Sequence, residues 1–111
     1  MSTQPTLHLT PEQYLEIERK AEYKSEYLGG AMFAMSSASE EHNLMAVNLI
    51  ALLRPQIRAG SCRLYTSDMR VRVTPTGLYT YPNVVAVCDK PRFMDSHLDT
   101  LSGGWIVISH S

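Results

Sequence analysis

The chain is poor in the features that most directly announce a function. It has two cysteines in 111 residues, Cys62 and Cys88, and no Cys-x-x-Cys pair. That excludes a disulfide-rich scaffold and a zinc-finger spacing, and leaves the expectation of two buried thiols in a reducing cytoplasm. No apolar run approaches the ~20 residues that cross a bilayer, so no membrane partner is expected. The start, Met1-Ser2-Thr3-Gln4-Pro5-Thr6, lacks the basic and apolar regions of a signal peptide, which makes the cytoplasm the default location. Excess positive charge is also missing. Ten Lys and Arg against eleven Asp and Glu give a formal charge of −1 and a pI near 6.4. The chain as a whole is therefore not a basic nucleic-acid binder, and contact with DNA would need a local patch. There is no Gly-rich phosphate loop, Ser-His-Asp grouping, Cys-His nucleophile pattern or internal repeat.

What is present reads as one globular domain, 44% hydrophobic and 19% charged. Thr10-Pro11-Glu12-Gln13 is a capping box with proline at the first helical position, and predicts a helix to about Ala21. Glu26 to Met35 predicts a hairpin turning at Gly29-Gly30, where glycine tolerates the positive φ required. Ser36-Ser37-Ala38-Ser39 is a polar loop able to cap a helix over roughly 40–58, with Met45, Leu49, Leu52, Leu53 and Ile57 at near-helical spacing. Pro55 lies near its end. Period-two alternation predicts strands at 62–65 and 69–73, followed by a Pro75-Thr76-Gly77 turn. The run 79–88 predicts one strand buried on both faces, 89–99 a polar loop, and 105–108 a last strand. Neither a covering helix nor a partner strand follows that last segment. The expectation is that another copy supplies them, pairing through 105–108, or that the domain is part of a larger one.

The most telling segment is Tyr79-Thr80-Tyr81-Pro82-Asn83-Val84-Val85-Ala86-Val87. Asn83 follows a proline and opens an apolar run, which puts a polar group at the mouth of a strand. Asp68 precedes an alternating strand, where an Asx turn is the plain reading and a site contribution the sharper one. Arg70 and Arg72 alternate along a strand and offer a phosphate contact, with Arg54, Arg58 and Arg63 as possible additions. Asp95, His97 and Asp99 place ligand-type side chains at alternate positions of a loop, and solvated polarity is the expectation there. His42 falls in the first turn of the second helix, as a cap or surface histidine or as a site residue.

Leu9 to Leu15, Lys24 to Gly30, Met35 to Asn43, Ser67 to Val73, Tyr79 to Val87 and Thr100-Leu101 together form an ordered series covering nearly the whole chain. In that order it resembles the Uma-two family of small endonucleases, within the PD-(D/E)XK restriction-endonuclease-like superfamily. The resemblance implies an α/β fold (α+β, a curved mixed sheet with a helix on its face). It also implies phosphodiester cleavage in DNA supported by magnesium, in which carboxylates hold the hard cation and the metal activates water. Glu26 matches the family's first acidic residue. Asn83 stands where the family has the aspartate of its Pro-Asp motif, so Glu26 and Asn83 would be the metal positions, with His42 orienting Glu26 or contacting a phosphate. The third acidic position falls at Ser109, and no residues correspond to the family's lysine. Gly103-Gly104-Trp105 replaces the expected Asn-Pro turn, as a frameshift or early stop near residue 103 would do. The expectation is a restriction-endonuclease-like domain, 1–111, incomplete at its C-terminus and catalytically impaired. The alternatives are a non-catalytic DNA-binding or assembly module, and a fragment of a larger nuclease.

Overall fold

The computed structural model describes residues 8–35, 39–57, 60–74 and 76–109, with Ser109 described by its backbone alone. Chain entry is set by the capping box. Thr10 Oγ1 accepts from the Gln13 amide at 3.1 Å, and the Thr10 amide donates to Gln13 Oε1 at 2.9 Å. Helix α1 runs Pro11–Glu18. It stops three residues short of the predicted Ala21, because the amides of Lys20 and Ala21 fall back to the carbonyls of Ile17 and Glu18 in tight i→i−3 turns.

The hairpin forms as its glycines require. Strands β1 (Ser25–Leu28) and β2 (Ala31–Ala34) pair from Ser25↔Ala34 to Leu28↔Ala31. Gly29 and Gly30 take φ of 60° and 89°, the double positive of a two-residue turn. Gly30 is constrained twice. A Cβ there would lie 3.3 Å from the His8 backbone, and its carbonyl accepts from the Leu9 amide at 2.8 Å.

Helix α2 spans Glu40–Ile57, with Pro55 tolerated in its last turn. Ser39 caps it by accepting from the His42 amide at 3.2 Å. Ser36, Ser37, Ala38 and Arg58 lie outside the described residues. No residue of α2 is buried, and Leu44, Met45, Val47 and Leu52 are exposed.

The remaining strands are β3 (Cys62–Thr66), β4 (Arg70–Val73), β5 (Leu78–Thr80), β6 (Val84–Phe93) and β7 (Thr100–Ser109). All seven join in one mixed sheet, ordered β2-β1-β5-β4-β7-β6-β3, with β4 and β7 its parallel pair. Three expectations need correction. The run 79–88 is two strands rather than one, because Pro82 has no N–H for a ladder. The chain leaves β5, beside β1 and β4, and crosses through Tyr81-Pro82-Asn83 to β6, between β7 and β3. Next, β6 and β7 extend into the predicted polar loop, accommodated by a register shift between Val87 and Arg92, with positive φ at Asp89 and Gly104. Finally, the last strand is not without neighbours, since β6 lies along it and β4 pairs with its start at Thr100 and Leu101.

The two cysteines also depart from the expectation. Cys62 and Cys88 stand directly opposite each other on β3 and β6 and are joined in a disulfide; Cys88 is exposed and Cys62 half-buried. Antiparallel register, invisible in the spacing, brings them together.

Two apolar clusters hold the fold. In the first, Tyr14 and Leu15 of α1 cover Tyr27 and Tyr79. The three tyrosine rings pack at centroid distances of 5.0–5.7 Å, one pair stacked and two edge-on, each pair worth about 0.5–1.5 kcal/mol beyond its area. The second gathers Val71, Val85, Val87 and Leu101, with Trp105 and Phe93 against them. Leu101 is 0% exposed whereas Leu52 of α2 is 63% exposed. Leu101→Ala should therefore lower unfolding stability by about 2–5 kcal/mol in urea titration, while Leu52→Ala should stay within about 0.5 kcal/mol of the parent. A comparable loss at Leu52 would contradict the exposed position of α2.

Candidate functional site

Glu26 projects from β1, where antiparallel pairing of Tyr27 with Tyr79 places it beside Thr80. Its Oε2 accepts a short hydrogen bond from Thr80 Oγ1. Lys24 pairs with Asp68 at 2.7 Å, so that Asp68 acts as an exposed ion-pair partner. Three residues after Thr80, Asn83 closes one side of a pocket of about 130 Å³. Its other walls are His42, Asn43, Val47 and Ile50 of α2, with Thr66 and Ser67 at the end of β3. The structure thus brings His42 and Asn83 to one pocket, while Glu26 turns to Thr80 and is not among the residues lining it. The His42 Nδ1 is buried without a hydrogen-bond partner. Position 109 lies opposite Val84 on β7, next to Asn83 along the sheet. Thr66, Ser67 and Thr80 were not singled out from sequence. The one cue for Thr80 was its place three residues before Asn83.

The arginines divide. Arg70 was expected to face phosphate, but it is 4% exposed and committed inside the protein. Its Nε donates to Thr100 Oγ1 and its Nη1 to the Tyr81 hydroxyl, each at 2.8 Å. Its Nη2 lies 3.0 Å from Asp99 Oδ2, an ion-pair separation whose N–H is not aimed for a hydrogen bond. Alternation places Arg72 on the same side of β4. It is half-buried opposite Tyr79, with its Nε unpartnered. Arg54 and Arg63 are exposed.

The network continues from Arg70. The Tyr81 hydroxyl donates to Glu18 Oε2 at 2.6 Å, and the same oxygen accepts from the Ser25 amide at 2.8 Å. Burial, then the hydrogen bond to Glu18, pushes the Tyr81 phenol up to about 12. Asp99 also receives Arg19, whose Nε lies 2.8 Å from Oδ2 and whose Nη2 lies 3.0 Å from Oδ1. The Arg19 hydrogen bonds, with the charges of Arg70 and Arg19, hold the Asp99 carboxyl well below the usual carboxylate range. Arg19 reaches Asp95 as well, at 3.3 Å. The loop read as solvated polarity therefore carries the acidic half of an ion-pair network.

The donor set around Asn83 does not suit a hard divalent cation. Such ions take oxygen ligands with several carboxylates among them. The pocket offers amides, hydroxyls and an imidazole, with no carboxylate among its lining residues. The Glu26 carboxylate engages Thr80, and among the described residues no group of three His, Cys, Asp or Glu is placed to hold a metal ion. A larger hollow of about 460 Å³ follows the outer side of α2 past Glu41, Met45, Asn48 and Leu52, but few polar groups converge on it. Among the described residues, no helix is long and apolar enough to cross a membrane.

A mixed seven-stranded sheet with two helices is an α+β fold consistent with a restriction-endonuclease-like core. The family described as "Uma2: Putative restriction endonuclease" matches residues 11–103, and the chain belongs to that family. The uncharacterized proteins slr1290 and sll1609 of Synechocystis sp. (strain ATCC 27184 / PCC 6803 / Kazusa) are similar to it. Each is 34% identical, over 85 residues covering 77% of this chain and 45% of slr1290, and over 88 residues covering 79% of this chain and 50% of sll1609. The chain spans about half the length of these curated relatives. No solved structure matches.

The Asp99 linkage is testable by pH. Because its folded pKa is depressed, the stabilisation is complete above its ordinary value of ~3.9 and is lost as pH falls below that toward the folded value. Urea titrations from pH 7 downward should show Asp99→Asn less stable than the parent at neutral pH, with the difference narrowing below about pH 4. A difference that stays constant across this window would refute the assignment.

Proposed function

We propose that this chain belongs, by descent, to the metal-dependent DNA endonucleases and is catalytically impaired. The observation that carries this reading is the neutral donor set around Asn83, at the position where the family resemblance puts an aspartate. Substituting an amide for a carboxylate removes a formal charge from the cation's surroundings and weakens hard-ion binding. DNA is the implied partner and magnesium the implied cofactor of the lineage. Arg72, the half-buried member of the arginine pair, is the better placed to meet a phosphate, since Arg70 is enclosed.

The test is cleavage of plasmid DNA with magnesium or manganese by this chain and by Asn83→Asp. The expected result is no cleavage by the parent, with activity in the variant if one carboxylate was the missing element. Cleavage by the parent that Glu26→Ala abolishes would overturn the impaired reading.

A second reading, an assembly module, is favoured by one feature of β7. Beyond Leu101 one edge of β7 has no strand partner among the described residues, and Ile106, Val107 and Ile108 are exposed there. An apolar half-edge of this kind is suited to pairing with a second copy. Light scattering should then give twice the chain mass, and Ile108→Lys should return it to a monomer. A monomeric parent at high concentration would remove this reading.

A further inference from the structure

We propose that Cys62 and Cys88 form a reversible dithiol–disulfide latch that holds the α2 wall of the Asn83 pocket onto the sheet. The inference rests on the position of the bond and not on any nuclease activity. Strand β3 is one edge of the sheet, and among the described residues β6 is its one neighbouring strand. The β3–β6 ladder runs Cys62↔Cys88, Arg63↔Val87, Leu64↔Ala86, Tyr65↔Val85 and Thr66↔Val84. The disulfide thus closes one end of the ladder. The other end carries Thr66 and, beside Val84, Asn83, both of which line the pocket. Helix α2 supplies the facing wall yet buries none of its residues, and β3 is the strand against which it chiefly lies. Apolar packing therefore contributes little to holding α2 in place, while β3 is held by its ladder to β6, by Tyr65 against the second apolar cluster, and by the covalent link at the sheet edge.

The bond is also open to exchange. Cys88 is exposed and Cys62 half-buried, so an external thiolate can approach. One thiolate of a dithiol reductant attacks a sulfur of the pair, the S–S bond breaks, and a mixed disulfide forms. The reductant's second thiolate then displaces the protein sulfur. Two electrons and two protons end on Cys62 and Cys88 as thiols, and the reductant leaves as its own disulfide. A thiol-reducing compartment opens the latch and an oxidising one closes it. The link spans a sequence separation of 26 and encloses β4, β5 and the Tyr81-Pro82-Asn83 crossing. Opening it frees the ladder end without removing a residue from either apolar cluster.

The test uses the full chain, purified without reductant, with dithiothreitol as the probe. Thiol alkylation read by mass spectrometry should label neither cysteine before reduction and both after. Hydrogen exchange should then quicken on the order of tenfold in peptides from α2 and β3, with little change in β1, β2 and β5. Cys88→Ser should exchange like the reduced parent. Should that variant fold poorly, the reduced and oxidised forms of the parent still decide the question. Labelling of either cysteine in the folded, air-oxidised chain would show that no bond forms. Equal exchange of α2 and β3 in both redox states would show a bond that latches nothing. Either result overturns the proposal.

Discussion

The Arg70 guanidinium is the constraint on which the rest of this structure depends. A cation that is 4% exposed must have its charge answered from within. The answers come from two separate parts of the chain: Tyr81 at the start of the crossing that follows β5, and the adjoining Asp99 and Thr100 where the loop enters β7. Glu18 binds the far side of Tyr81 and brings α1 into the same network, and Arg19 reaches Asp99 from the next residue. Helix, sheet and loop are thereby fixed around one charge. Buried ionic networks often add little net stability compared with an apolar replacement, yet removing one partner strands the others at a cost of about 3–5 kcal/mol. The network therefore acts most strongly on which arrangement forms. Glu18 Oε1, buried and unpartnered, shows that even here satisfaction is incomplete.

That commitment shapes the site. The crossing Tyr81-Pro82-Asn83 is anchored at Tyr81 by Arg70 and at Pro82 by complete burial. Asn83 is consequently presented at a set place between α2 and the end of β3, whatever chemistry its side chain can support. On the proposed reading, the mount is retained while the donor set there is neutral. Geometry and charge are separable properties of such a centre, because backbone crossings are held by packing and internal hydrogen bonds whereas cation affinity is held by carboxylates.

Much of the architecture was legible in the sequence because local rules governed it. The capping box at Thr10 and Gln13, the double-glycine turn and the 40–58 helix each depend on residues within a few positions of one another. The family series was legible for the same reason, being a succession of short segments. What escaped were relations set by register and tertiary packing. The pairing of Cys62 with Cys88 depends on how β3 slides against β6. The inward turn of Arg70 depends on partners 11 and 30 residues away. The split of 79–88 lies in Pro82, whose missing N–H outweighs the apolar run that follows it. His42 and Asn83 were each singled out, but their meeting across one pocket depends on the course of α2.

Gly30 carries a different kind of information. Its positive φ and the close approach of the His8 backbone each disfavour a side chain, for two unrelated reasons. Relieving one leaves the other in force, so no single compensating change elsewhere readily admits another residue. At Asn83 the opposite holds, since an amide and a carboxylate fill nearly the same space. In a lineage released from selection for cleavage, drift would therefore be quick at the polar position and slow at the turn. A chain can thus go on looking like its relatives long after it has stopped acting like them.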